Sequence, residues 1–193
     1  MFADATDAAR YTSQCGRHWH ELFQDWEYQQ QLALRNRTGA KAVVWSCREH
    51  CGGLGDRWKG LLTSFMLALV LRRAFFIDNE VPVPLRNYFH LANPALHWVF
   101  DEAILNGKTV LREHVIHASS IGDYAKANLS LYDNYEVIIQ ASTFYQPFHI
   151  LRNVAALETI YPTFAEHTLA GCLLNYLLIP VKQLQLQVHN ITT

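Results

Sequence analysis

The sequence has 193 residues, of which 50% are hydrophobic and 17% are charged, and its formal net charge at pH 7 is −1. This composition is typical of a globular chain with a substantial core and excludes a largely disordered one. The near-neutral charge argues against electrostatic capture of nucleic acid or of an anionic membrane surface. Arginine outnumbers lysine, which favours bidentate contacts with phosphate or carboxylate groups.

The N-terminal region predicts one amphipathic helix, from about Arg17 to Leu34. Its apolar side chains recur at helical spacing, and they are Trp19, Leu22, Phe23 and Trp26. We expect this face to pack on the main domain rather than to bind a ligand. The chain is accordingly divided into an N-terminal helical segment, residues 1–39, and an α/β domain, residues 40–193.

The stretch from Trp45 to Asp78, together with the short apolar run that ends at Trp45, predicts a strand, a glycine-rich turn, a long helix and a second strand. Its parts are the strand 42–45, the glycines Gly52, Gly53 and Gly55, a helix from about Asp56 to Arg73, and the strand 74–77, which Asp78 closes. The continuous apolar strands are typical of a parallel sheet that is buried on both faces. The helix is apolar nearly all round after Gly60, so we expect it to be deeply buried.

Both ends of this helix have residues that suit its dipole. Asp56 is predicted to cap the start of the helix, and Arg72 and Arg73 are predicted to lie in its last turn.

The remaining sequence predicts weaker elements. In chain order these are a loop with a short helix at 81–97, a strand within 108–117, an exposed polar insertion at 122–133, a strand at 136–140, a short helix at 152–157, and a helix at 162–178 ended by Pro180. The last segment, 181–188, alternates apolar and polar residues and fits either a strand or a helix.

The glycine turn is the main candidate for a binding site. Closely spaced glycines let backbone N–H groups approach an anion, and the dipole of the following helix favours negative charge there. Arg57 adds a guanidinium group at the same end, which suits a nucleotide diphosphate. The spacing gives neither a Walker A motif nor a dinucleotide fingerprint, since Trp58 takes the place of the third glycine, so ATP and NAD chemistry are not expected. On spacing alone, a tight turn without a ligand remains equally open.

Other side chains are candidates for catalytic or metal-binding groups. Asp78 lies where α/β sheets place ligands, and a cap or loop carboxylate is the alternative. Glu80 and Asp101 are weaker candidates for a base that activates an acceptor. The histidines and cysteines lack convincing zinc spacing, so no metal site is predicted. Ser64 and Cys172 lie in apolar helices and are expected in the core.

The four cysteines and three glycosylation sequons favour an oxidising, secretory compartment. The sequons are Asn36-Arg-Thr38, Asn128-Leu-Ser130 and Asn190-Ile-Thr192. A local disulfide between Cys47 and Cys51 and plain buried thiols both remain open. The sequence shows no signal peptide and no apolar run of the roughly 20 residues that a membrane span needs.

The string CGGLGDRWKGLLTSFMLALVLRRAFFID, residues 51–78, resembles the first βα unit of the GDP-fucose-dependent fucosyltransferase superfamily. This superfamily includes the α1,6-, α1,2- and protein O-fucosyltransferases. In its members a strand leads into a Gly-x-x-Gly-Asn/Asp loop, a long apolar helix and a strand that ends in Asp. The stretch from Leu169 to Pro180 is similar to the helix and proline that close the N-terminal half in many of them.

The resemblance implies a Rossmann-like, three-layer α/β domain, similar to the N-terminal half of a metal-independent, inverting glycosyltransferase of the GT-B type. It implies that one short stretch lies beside the donor diphosphate, namely Gly53, Leu54, Gly55, Asp56 and Arg57. The partners would be GDP-fucose and a glycan or protein hydroxyl, with no cofactor. The location would be the Golgi or another secretory-pathway lumen.

The chain also departs from the family pattern. A His-x-Arg strand and loop in the second half of these enzymes holds the diphosphate, and this sequence has no His-x-Arg before it ends at Thr193. We therefore expect the N-terminal half of such an enzyme, either as a fragment or as a degenerate homologue. The alternative is a non-catalytic α/β module or pseudoenzyme that lacks the donor-binding half. The catalytic base stays unassigned.

Overall fold

The computed structural model describes residues 19–35, 39–48, 52–78, 84–91, 97–115, 128–142, 150 and 166–180. The helices are α1 (Trp19–Arg35), α2 (Leu54–Val70) and α3 (Glu166–Leu177). The strands are β1 (Ala42–Ser46), β2 (Ala74–Asp78), β3 (Phe89–Leu91), β4 (Val110–Val115), β5 (Val137–Ser142) and β6 (Leu178–Pro180). Short 3₁₀ helices span Leu85–Asn87, Glu102–Leu105 and Leu129–Asn134.

A four-stranded parallel sheet with the order β2-β1-β5-β4 forms the centre of the fold. Beyond β2, Val99 forms a parallel bridge with Ile77 and extends that edge of the sheet. Strands β3 and β6 make a separate antiparallel pair. The predicted fold class, a Rossmann-like α/β domain, is confirmed.

Apolar clusters lie on both faces of the sheet, which explains why its strands are continuously hydrophobic. Val43 and Trp45 of β1 face the cluster that contains α2, whereas Val44 faces the cluster that contains Ile104. Helix α2 is buried from Gly60 to Leu69, as predicted. Each large side chain buried here contributes about 1.5–3 kcal/mol of hydrophobic free energy.

Helix α1 packs on this core through an aromatic cluster. The Phe23 ring stacks on Tyr176 of α3 with centroids 3.6 Å apart, and Trp26 meets Phe65 of α2 edge-on at 5.1 Å. The Tyr176 hydroxyl donates a hydrogen bond to Glu27 Oε1 at 2.5 Å. The predicted packing role of the apolar face is confirmed for Phe23 and Trp26, while the division of the chain at residues 39 and 40 stays a prediction.

Gln30 of α1 completes the outer edge of β2. Its fully buried carboxamide accepts a hydrogen bond from Phe75 N at 2.7 Å and donates to Phe75 O at 2.9 Å. The same Nε2 donates to His97 O at 2.6 Å. The side chain therefore satisfies backbone groups of an edge strand in the way that a neighbouring strand would.

The start of α2 differs from the prediction. The helix begins at Leu54 and its N-cap is Gly53, in extended conformation, so Asp56 lies inside the first turn and is not the cap. The extra turn forms because Asp56 N and Arg57 N both donate to Gly53 O at 3.1 Å. The Asp56 carboxylate still lies at the positive end of the helix dipole.

The end of α2 also differs, since Arg72 and Arg73 lie beyond the helix rather than in its last turn. Arg72 is left-handed with φ 53°, its N–H donates to Leu69 O at 3.2 Å, and Arg73 N donates to Ala68 O at 2.9 Å. These two bonds form a Schellman motif.

The Arg73 side chain is buried beneath the start of β2. Its Nη2 donates to Tyr132 O at 2.6 Å and its Nη1 donates to Tyr135 O at 2.8 Å. Burial lowers the pKa of Arg73, and the charge of Asp133 partly opposes that shift. The guanidinium thus joins the end of α2 to the segment that leads into β5.

Three weaker predictions need correction. Leu178, predicted as the last residue of the helix, instead begins β6, which pairs with β3. Strand β3 itself lies in the segment predicted as loop with a short helix. The predicted exposed insertion is not wholly exposed, since Tyr132 is buried in a 3₁₀ helix.

The positions of β4 and β5 agree more closely with the predictions. The strand predicted within 108–117 is β4, and β5 runs two residues past the predicted Gln140. The predicted elements at 152–157 and 181–188, the start of the helix predicted at 162, and the insertion residues 122–127 lie outside the described residues.

Candidate active site at the carboxyl edge of the sheet

The sheet order places a topological switch point between the carboxyl ends of β1 and β5. From β1 the chain passes to β2 on one side, while β5 and β4 lie on the other side. Such a switch point is where open α/β sheets bind ligands. The glycine turn follows β1 and begins α2 at this edge, so the topology brings the predicted site to the expected place.

Gly52 is required by the fold itself. Its φ is +65°, and a Cβ atom there would lie 2.6 Å from Asp56 Oδ2. The left-handed backbone strains any side chain at this position, and the Asp56 side chain would have to shift to admit a Cβ atom.

Gly53 and Gly55 are different, because the described structure gives no internal reason for glycine. Gly53 has φ −72° and ψ 177°, which any residue adopts. A Cβ atom built on Gly53 or on Gly55 meets no atom within 4 Å in the part of the chain that is described. The missing side chains leave open space over the backbone at the start of α2.

This exposed turn has the features of an anion site. The first helical hydrogen bonds come from Asp56 N and Arg57 N, so the N–H groups of Leu54 and Gly55 precede them and have no intrahelical acceptor. Leu54 is 63% exposed, so this end of the helix faces solvent. N–H groups without an intrahelical acceptor and the positive dipole end together favour a phosphate or carboxylate.

The charged residues of the segment 53–59 are one acidic and two basic side chains, Asp56, Arg57 and Lys59. Lys59 Nζ lies 3.0 Å from Asp56 Oδ1 in an exposed ion pair, which offsets the negative charge of Asp56. Exposed pairs of this kind contribute little stability, about 0–1 kcal/mol. Half-buried Arg57 adds a further positive charge one residue beyond Asp56.

The five predicted donor-site residues therefore share one helical turn at the switch point. They are Gly53, Leu54, Gly55, Asp56 and Arg57. Their contact with a ligand stays a prediction.

Asp78 belongs to an ion-pair network at the ends of β1 and β2. Its Oδ2 accepts hydrogen bonds from Ser46 Oγ at 2.9 Å and from Arg48 Nε at 2.6 Å. Arg48 Nη2 donates to Glu102 Oε1 at 2.9 Å. Hydrogen bonds to Glu102 and then to Asp78 raise the pKa of Arg48.

The network gives Asp78 a structural task. The Asp78 carboxylate is nearly buried and is paired with a guanidinium. These features fit the alternative role, a loop carboxylate that joins two strand ends, better than the role of a base that faces an acceptor. Asp101 is likewise engaged as a cap, accepting from Ala103 N at 2.9 Å. Glu80 lies outside the described residues. Sequence reasoning missed Arg48, whose only signal is its position just after a buried strand.

A second polar group, which lies within the sheet between β4 and β5, was also missed. Glu113 of β4 accepts hydrogen bonds from the Tyr132 hydroxyl at 3.0 Å and from Gln140 Nε2 at 3.0 Å. Gln140 pairs in register with Trp45 on one side and with Glu113 on the other. The signal in the sequence was Gln140 within the apolar run of β5, whereas Glu113 lies between Arg112 and His114 and gave no comparable signal.

The cysteines and other candidate ligands give simpler results. Cys47 and Cys172 are both buried and disulfide-bonded, so neither is a free core thiol. Ser64 is buried within α2 as expected. Within the described ranges, no group of three or more His, Cys, Asp or Glu side chains could hold a metal ion. None of the helices in those ranges combines the length and apolarity that crossing a membrane requires.

Comparison with known proteins shows the fold. No protein-family model matches the sequence, and no curated protein matches it by sequence. Among solved structures, the chain is similar to a mutant of FUT1, a fucosyltransferase of Arabidopsis thaliana, in complex with GDP. The TM-score is 0.63 at 15% sequence identity, and the similarity covers 94% of this chain and 46% of that one. The chain thus has a fucosyltransferase-like, Rossmann-like glycosyltransferase fold and spans less than half the length of that structure.

Proposed function

We propose that this chain is part of a glycosyltransferase that transfers fucose from GDP-fucose to a hydroxyl of a glycan or a protein. The observation that carries the proposal is the open backbone at Gly53 and Gly55, at the switch point of a fold shared with a fucosyltransferase whose structure contains GDP. In the proposal, Leu54 and Gly55 N–H groups contact the diphosphate of the donor. Arg57 adds positive charge beside them.

The chemistry is an inverting displacement. The bond between the fucose anomeric carbon and the diphosphate oxygen breaks as the acceptor oxygen attacks from the opposite face, and the acceptor proton passes to a base. Fixed positive charge at the glycine turn stabilises the departing diphosphate. The base is unassigned, because Asp78 is committed to Arg48. No metal or organic cofactor takes part in this scheme.

The proposal places the protein in the Golgi or another secretory-pathway lumen. Buried disulfide bonds at Cys47 and Cys172 support this, because such bonds persist in oxidising compartments and are rare in the cytosol. The acceptor is a glycan or a protein, and neither nucleic acid nor a membrane surface is a partner in the proposal.

Calorimetric titration with GDP and GDP-fucose tests the donor site. We expect Gly55→Ala to weaken GDP binding about tenfold or more, or about 1.4 kcal/mol, because its methyl group occupies the space over the exposed N–H groups. The same variant should fold at least as well as the parent, since alanine is favoured over glycine in helices by up to about 1 kcal/mol.

Gly171→Ala is the matched control, because Gly171 is an exposed glycine of α3 and a methyl group there would meet no atom of the described residues. It should gain helix stability without changing GDP affinity. Equal GDP affinity in Gly55→Ala and the parent would remove the turn from the donor site. Binding only by a longer version of the protein would place the donor site mainly in the other half, and no binding by either would reject the proposal.

A non-catalytic binding module is the second candidate. It is favoured by the pairing of Asp78 with Arg48 and by the capping role of Asp101, which leave both carboxylates occupied. A longer version of the protein that binds GDP-fucose but neither transfers fucose to glycan or protein acceptors nor hydrolyses the donor would support this candidate over the enzyme.

A further inference from the structure

The sequon Asn128-Leu129-Ser130 lies on the surface in a defined local conformation. Asn128 and Ser130 are both exposed and begin the 3₁₀ helix Leu129–Asn134. Asn128 Oδ1 accepts hydrogen bonds from Ser130 N at 3.2 Å and from Ser130 Oγ at 2.7 Å. The carboxamide and the hydroxyl that define an N-glycosylation acceptor are therefore presented side by side.

The two polar atoms of the Asn128 carboxamide have different roles. Oδ1 caps the 3₁₀ helix, whereas Nδ2 donates no hydrogen bond to any of the described residues. N-glycosylation modifies Nδ2 and leaves Oδ1 as an acceptor. A glycan can consequently be attached without removing the cap or any other described contact.

The position of the sequon also leaves the glycine turn accessible. In the 3₁₀ helix that follows Asn128, Tyr132 O accepts from Arg73 and Asp133 O accepts from Lys41 Nζ at 3.1 Å. Arg73 immediately precedes β2 and Lys41 immediately precedes β1, so this segment lies at the amino edge of the sheet. The glycine turn lies at the opposite, carboxyl edge.

We propose that Asn128 is an N-glycosylation site that takes an oligosaccharide from a lipid-linked diphosphate donor. In the transfer, Nδ2 forms a bond to the anomeric carbon of the first sugar and loses a proton. The bond from that carbon to the diphosphate oxygen breaks, and the lipid diphosphate leaves. The host's oligosaccharide transferase catalyses the step. The disulfide bonds at Cys47 and Cys172 fit folding in the oxidising compartment where this reaction occurs.

The test directs the full chain into the secretory pathway of a eukaryotic cell with an added cleavable signal sequence. An Asn-Gly-Thr tripeptide appended to the C-terminus serves as a marker of entry. Trypsin releases the peptide 127–152, which contains only this sequon, and its mass is measured before and after treatment with peptide N-glycosidase. We expect the glycosylated form of this peptide to predominate.

Substitutions separate modification from folding. Asn128→Gln and Ser130→Ala should each abolish the glycan on this peptide, whereas Ser130→Thr keeps a hydroxyl and should retain it. GDP affinity should be the same with and without the glycan, since the two sites lie at opposite edges. An unmodified Asn128 in parent chains whose appended marker is glycosylated would overturn the assignment, and so would a glycan on the peptide that survives Asn128→Gln.

Discussion

The two ends of helix α2 are finished in opposite ways. At its C-terminal end, the left-handed Arg72 and the buried Arg73 close the helix with hydrogen bonds to Ala68, Leu69 and the segment before β5. At its N-terminal end, Gly53 caps the helix without a side-chain hydrogen bond, and the first helical residue, Leu54, is exposed.

The difference distinguishes backbone groups of α2 that are bonded within the chain from backbone N–H groups that have no intrahelical acceptor. A helix end normally finds partners for its unpaired backbone groups in side chains or water. The C-terminal end of α2 finds them within the chain, so changes there should affect stability. The N-terminal end finds none among the described residues, so the proposed donor site predicts that changes there affect binding and leave stability nearly intact.

Arg73→Ala should have the largest effect. It removes two charge-assisted hydrogen bonds and leaves the carbonyls of Tyr132 and Tyr135 without their donor inside the core. We expect the free energy of unfolding to fall by about 3 kcal/mol, measured by urea denaturation.

Arg112→Ala is the control for that change, because Arg112 is an exposed arginine of β4 and its removal should change stability by less than about 0.5 kcal/mol. Equal stability losses in the two variants would mean that the buried Arg73 guanidinium does not stabilise the C-terminal end of α2.

Gly53→Asp should have the next largest effect, and on binding rather than on folding. Aspartate is a slightly better N-cap than glycine, so stability should hold or rise by a few tenths of a kcal/mol. Its negative charge would face the diphosphate, so calorimetry should show GDP affinity falling more than tenfold, or about 1.4 kcal/mol.

Gly53→Asn introduces a side chain of the same shape as aspartate but without its charge. Comparing the two variants distinguishes charge repulsion of the diphosphate from steric obstruction. The difference between the two variants should shrink as salt is added, because exposed charges are screened. If Gly53→Asp bound GDP as tightly as the parent, the N-terminal end of α2 would not be the diphosphate site.

Arg72→Gly should have the smallest effect and should stabilise the protein. A non-glycine residue in the left-handed region costs about 1–2 kcal/mol, and glycine regains part of this against its greater freedom in the unfolded chain. The exposed ion pair with Asp25, at 3.4 Å, contributes little and is lost. We expect a gain of about 0.5 kcal/mol in thermal denaturation, with Asp25→Asn as the control for the ion pair. Destabilisation beyond that control would show that the Arg72 side chain supports the closed end in another way.

The central layer of the fold was readable from the sequence because its signals are local. The apolar runs that became β1, β2 and β5 and the apolar helix α2 each identify themselves within a few residues. Strand β6 could not be read in this way, because Leu178–Pro180 is extended only through its pairing with β3, almost 90 residues earlier in the chain. Arg72 was misplaced because no glycine marks the Schellman motif.

The candidate site was readable only in part, for the same reason. The glycine turn is a contiguous stretch, so its position before α2 followed from the order of the residues. The pairing of Asp78 with Arg48 spans 30 residues, and that of Glu113 with Gln140 spans 27. The order and register of the strands bring these partners together, and local sequence patterns do not predict that order or register.

The Gln30 carboxamide gives the edge of β2 an unusual dynamic property. Phe75 N–H, which in a longer sheet would bond to another strand, is protected by a helix side chain from 45 residues away. Exchange of that single amide proton with solvent deuterium therefore reports the undocking of α1, independently of opening elsewhere in the sheet. The same contact couples the outer edge of β2 to the N-terminal helix.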